Sequence, residues 1–116
     1  MARPSPPLAS DTLVDQENNA TVPFNAWEQF IDGRVASLSI GVGAREPLPP
    51  GAIVVNGVPA VAYAKWLTYI NRSVATFGSP SQRPPLPPSN FPVLGVDRKP
   101  TIPFYSWIRY VDQLLA

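Results

Sequence analysis

The chain has 116 residues, 16 of them proline and none cysteine or histidine, and a formal net charge of +1. Without cysteine there is no disulfide and no thiolate metal site; without histidine the usual general base and commonest metal ligand are missing. Sparse, balanced charge argues against electrostatic capture of nucleic acid or an anionic membrane, and no apolar run is long enough to span a bilayer.

The first eleven residues form a Pro-rich arm, with Pro4, Pro6 and Pro7 around Leu8. The arm lacks the apolar core of a signal peptide, which fits a chain made and folded in a cytoplasm. From residue 12 onward the chain repeats itself three times with a period near forty. The copies align on Trp27, Trp66 and Trp107. Three positions before each tryptophan stands Phe24, Tyr63 or Phe104; three after stands Phe30, Tyr69 or Tyr110. Four after is Ile31, Ile70 or Val111, and five after is Asp32, Asn71 or Asp112. A period of this size marks a supersecondary unit that buries its apolar face against its neighbours.

Repeat 1 covers residues 12–40. Thr12-Leu13-Val14-Asp15, a polar loop and Thr21-Val22 read as a small hairpin. Phe24, Trp27, Phe30, Ile31 and Val35 then fall on one helical face, with Pro23 in the first turn. A Gly/Pro-rich linker over 41–51 carries Gly41, Gly43 and the Pro47, Pro49, Pro50 cluster. Repeat 2 covers 52–78. Its Asn56-Gly57 between apolar runs is the strongest short hairpin signal, because a type I′ turn needs positive φ at both central residues. Tyr63, Trp66, Tyr69, Ile70 and Val74 form its helical stripe, and Gly78 is placed to end the helix. A Pro-rich linker over 79–92 holds Pro84, Pro85, Pro87 and Pro88. Repeat 3 covers 93–116, with a hairpin around Asp97-Arg98-Lys99 and a stripe of Phe104, Trp107, Tyr110, Val111 and Leu115.

The expected fold is therefore α+β: three tandem β-hairpin–helix repeats of about forty residues, joined by Pro-rich spacers in polyproline II. One such unit is too small to hold an adequate core, so the array or a partner must complete it.

Chemistry is sparse. Asp32 and Asp112 sit at equivalent positions and raise the thought of a carboxylate dyad, but a solvated or loop-capping position is the better reading. Asp15, Asn56 and Asp97 recur just ahead of the turns, where such side chains bond their own backbone. No serine has a histidine partner, and Gly41-Val42-Gly43 is only a fragment of a phosphate loop. The acceptor patterns Asn19-Ala20-Thr21 and Asn71-Arg72-Ser73 are discounted as glycosylation sites without a signal peptide. No catalytic, metal-binding or cofactor-binding residue is expected. The candidate packing and interaction residues are Phe24, Trp27, Phe30, Tyr63, Trp66, Tyr69, Phe104, Trp107 and Tyr110.

The run Val96-Asp97-Arg98-Lys99-Pro100-Thr101-Ile102-Pro103-Phe104-Tyr105-Ser106-Trp107 resembles a motif of small tail and virion structural proteins of tailed bacteriophages. That motif reads Val-Asp, a Gly-containing turn, Pro-Thr, two residues, Phe, two residues, Trp. Repeat 1 looks like a second copy with a longer loop, and residues 53–77 like a third that has Pro59-Ala60 at the Pro-Thr step. The turn at Asp97-Arg98-Lys99 lacks the glycine. The resemblance implies a non-enzymatic virion component on head, neck, tail or fibre. It implies binding to other virion proteins, presence as a homo-oligomer or in several copies on a symmetric particle, and no contact with nucleic acid or membrane. The alternative is a carbohydrate or host-surface binding module that uses exposed aromatics.

Overall fold

The computed structural model describes residues 7–8, 10–38, 48–49, 51–75, 86 and 91–115. The elements in chain order are α1 (Val22–Leu38), β1 (Val54–Val55), β2 (Val58–Pro59), α2 (Val61–Ala75) and α3 (Ile102–Leu115). Every pair of helices is in contact, so the three copies close around one shared core instead of lying in a row. Among the described residues the core is one cluster that draws on all three copies, including Trp27, Trp66 and Trp107.

This corrects the expected fold class. The chain is not three tandem hairpin–helix units. Among the described residues only the second copy forms a two-stranded ladder, with Val54 opposite Pro59 and Val55 opposite Val58. Its Asn56 and Gly57 have φ of 52° and 80°, the positive values a type I′ turn requires. In the other copies the ladder shrinks to single bridges, Val14 to Ala20 and Leu94 to Pro100. The physical reason is the longer turn. Asp15 Oδ1 accepts from the amides of Glu17 and Asn19 at 2.8 and 3.1 Å, and Asp97 Oδ1 accepts from Lys99 N at 3.1 Å. These side chains close the turn locally and leave no second ladder pair.

Besides the bonds within each turn, such as Asp15 N to Asn19 O and Gly95 N to Lys99 O at 2.9 Å, the strand-like segments of all three copies bond to the neighbouring copy. Leu13 N donates to Arg98 O at 2.9 Å, Ile53 N to Asn18 O at 2.9 Å, and Val93 N to Gly57 O at 2.8 Å. Each acceptor stands nine residues before its tryptophan and has positive φ: Asn18 65°, Gly57 80°, Arg98 64°. The left-handed turn aims a carbonyl at the next copy, and the three bonds run in a closed circle.

The helices begin alike. The carbonyls of Thr21, Ala60 and Thr101 accept the first helical bonds from Asn25, Ala64 and Tyr105 at 2.8–2.9 Å, which makes them the N-cap residues. Pro23 and Pro103 follow in the first turn, where no amide partner is lost. The hydroxyls of Thr21 and Thr101 do not cap the helix. They donate back to Leu13 O and Val93 O at 3.4 and 3.2 Å, tying each helix start to its own turn. Most of the Pro-rich segments, including Pro84, Pro85, Pro87 and Pro88, lie outside the described residues, as do Gly41, Gly43 and Gly78.

Candidate interaction surface and the aromatic ring

Each helix buries its tryptophan in the shared core. Trp27, Trp66 and Trp107 are at most 1% exposed. Each stacks on the aromatic one turn earlier: Phe24–Trp27 at 6.1 Å, Tyr63–Trp66 at 5.8 Å and Phe104–Trp107 at 6.0 Å, with ring planes within 18° of parallel. Such pairs add about 0.5–1.5 kcal/mol beyond the area they bury.

The indole nitrogens show how the copies join. Trp27 Nε1 donates to Asp112 Oδ1 at 3.0 Å, Trp66 Nε1 to Asp32 Oδ1 at 3.1 Å, and Trp107 Nε1 to Asn71 Oδ1 at 2.9 Å. Thus α2 reaches α1, α3 reaches α2, and α1 reaches α3. The circle of side-chain bonds matches the circle of backbone bonds at the turns. Asp32, Asn71 and Asp112, expected as solvated or loop-capping groups, are the acceptors that lock the tryptophans across interfaces. The signal lies in the sequence: an oxygen acceptor recurs five residues after every tryptophan. A buried indole N–H needs such a partner.

The nine aromatics singled out from sequence all come together in this arrangement. Phe24, Trp27, Tyr63, Trp66, Tyr69, Phe104 and Trp107 are buried, and Phe30 and Tyr110 are half-buried against the same core. They are consumed inside the chain. Facing outward is a second set that the sequence reading does not single out. Val22, Val61 and Ile102 are 84%, 76% and 83% exposed. They are equivalent positions, each five residues before a tryptophan and first in its helix. Val55 and Val96, at equivalent sites in the turns, are also exposed. The three turns meet around a shallow depression lined by Asn18, Asn56, Gly57, Leu94 and Arg98.

One interface departs from the pattern. Glu28 follows Trp27, where the other copies have Leu67 and Ile108, and it is buried. It faces Tyr63, which replaces the Phe24 and Phe104 of the other copies. The contact falls short of hydrogen-bond geometry, so among the described residues neither carboxyl oxygen nor the Tyr63 hydroxyl has a hydrogen-bond partner. Burial pushes the Glu28 carboxyl up to about 8, an effect the nearby Tyr63 hydroxyl partly offsets. Burial and then the Glu28 charge push the Tyr63 hydroxyl well above its usual range.

Among the described residues there is no group of three acidic, cysteine or histidine side chains that could hold a metal ion. No helix in them is long and apolar enough to cross a membrane. No family model, curated protein or solved structure matches this chain.

Proposed function

We propose that this chain is a non-enzymatic structural component of a tailed-bacteriophage particle that binds other virion proteins through the outside of its closed three-copy core. The observation that carries this reading is the repeated exposure of Val22, Val61 and Ile102 around a core whose aromatic stripe is turned inward. A β-branched aliphatic left open once is ordinary; left open at the same position in all three copies, it is a set of equivalent contact points. Three weak contacts on one rigid body reinforce one another through effective concentration. The motif resemblance supplies the virion setting. The carbohydrate alternative is disfavoured, because the nine repeated aromatics are buried or half-buried and, of the aromatics among the described residues, Phe91 is the one that stands exposed.

The test is mass spectrometry of purified particles of the phage that encodes the chain, repeated with Val22, Val61 and Ile102 all changed to Ser. The expected result is incorporation of the wild-type chain and loss of incorporation by a variant that stays folded. Absence of the wild-type chain from particles would overturn the functional reading. Full incorporation of the folded variant would overturn the assigned surface.

A further inference from the structure

The α1–α2 interface holds a polar pair where the other two copies are apolar. Glu28 is 1% exposed and Tyr63 1% exposed, while the equivalent Leu67, Ile108, Phe24 and Phe104 are each at most 2% exposed. We propose that Glu28 and Tyr63 form a proton-controlled latch: the α1–α2 interface closes fully when the Glu28 carboxyl carries its proton and loosens when it ionises.

The chemistry of the surroundings sets the direction. An ionised carboxylate in an apolar interior is tolerated only with a cation or several hydrogen bonds. Among the described residues Glu28 has neither: its two oxygens lack hydrogen bonds, and no cation acts on it. From α2 the titratable group facing it is the Tyr63 hydroxyl. From α3 the acidic group in this layer, Asp112, accepts from the Trp27 indole at 3.0 Å. On α1 itself, Asp32 accepts from the Trp66 indole at 3.1 Å and Arg34 donates to Leu115 O at 3.1 Å. The protonated acid is neutral and can share a hydrogen bond with Tyr63 after a small shift. The ionised form can accept from the Tyr63 hydroxyl, but one hydrogen bond does not offset the loss of its hydration, so it draws in water or parts the helices.

In the unfolded chain the carboxyl loses its proton near 4.5, and in the folded chain near 8. Between those values the fold holds a proton that the unfolded chain has released, so raising the pH through this window weakens the fold. Below about 4.5 the contribution is complete, and above about 8 it is gone. Each pH unit within the window is worth a factor of ten, so the folding equilibrium falls by on the order of three powers of ten across it.

Denaturant unfolding of the full chain from pH 4 to 9 tests the latch, with Glu28→Gln and Tyr63→Phe beside the wild type. Wild-type stability should fall steadily toward pH 8. Glu28→Gln, neutral at every pH, should lose that slope, whereas Tyr63→Phe should keep it because the carboxyl remains. Coincident profiles for the wild type and Glu28→Gln would overturn the proposal. Should Glu28→Gln fail to fold, carbon-detected NMR of the Glu28 carboxyl in the wild type decides. A midpoint well above 6 supports the latch, and one near 4.5 rejects it.

Discussion

The helices and the turns of this molecule have diverged to different degrees. Residues 21–30 and 101–110 show the same succession of buried, half-buried and exposed positions, although only Thr, Pro, Phe and Trp are shared at matching places. The turns before the helices differ in charge, and the second also in length, whereas the first and third each put five residues between their bridged pair and share the same backbone bonds. The first is acidic, the second is a two-residue Asn-Gly hairpin, and the third is basic. What the turns share is one left-handed residue whose carbonyl reaches the next copy. Closure of the circle is the feature that all three turns keep, whatever their charge and length.

The largest test removes a member of the helical layer. Trp66→Ala takes out a fully buried ring together with its stacking partner's contact and its bond to Asp32. It should cost about 3–5 kcal/mol in denaturant unfolding, and Trp27→Ala and Trp107→Ala should cost similar amounts. A clearly smaller effect in one copy would show that the three interfaces are not equivalent.

The next test falls on a turn. A Cβ added to Gly57 would lie 2.5 Å from the Leu94 carbonyl oxygen, and φ there is +80°. Gly57→Ala should cost about 2–3 kcal/mol, read from the same unfolding curves. Thus the varied layer still has a site that tolerates no freedom. A smaller effect comes from the acceptor. Asp112→Ala leaves the Trp27 indole without its partner and should cost about 1–2 kcal/mol; Asp112→Asn, the residue type that copy two uses at position 71, should recover most of that. The smallest effect has the opposite sign. Gly33 lies inside α1, and a methyl group added to it would meet nothing within 4 Å. Gly33→Ala should raise stability by about 0.5–1 kcal/mol, visible as a higher thermal midpoint.

Much of this architecture is legible in the sequence. The stripe of Phe24, Trp27 and Ile31 and its two copies specify the helices, because apolar spacing of three and four has one geometric meaning. Asn56-Gly57 specifies the two-stranded hairpin of the second copy for the same kind of reason. The two expected ladders that shrink to single bridges share one cause: alternation and turn residues do not disclose how long a turn is, and five residues lie between Val14 and Ala20 and between Leu94 and Pro100. The cross-copy bonds are hidden as well, since Leu13, Ile53 and Val93 all donate to another copy. Closure of the array is equally hidden, since a repeat fixes the unit and not how units meet. The tryptophan acceptors, by contrast, are within reach of sequence reasoning. A polar residue at constant spacing from a buried donor signals a partner, and this signal outweighs the reading of Asp32 and Asp112 as solvated positions. Glu28 carries a signal too: a lone charge where both sister copies have an aliphatic.

Closure itself is read most directly from the tryptophan indole protons by two-dimensional NMR. In a closed circle the acceptor for Trp27 is Asp112, 85 residues away, while Trp107, only five residues from Asp112, is served by Asn71. Asp112→Ala should therefore shift and deprotect the Trp27 indole proton and leave that of Trp107 bonded and slow to exchange. A Trp27 signal that does not respond to Asp112→Ala would mean that the first and third copies do not meet and that the circle does not exist.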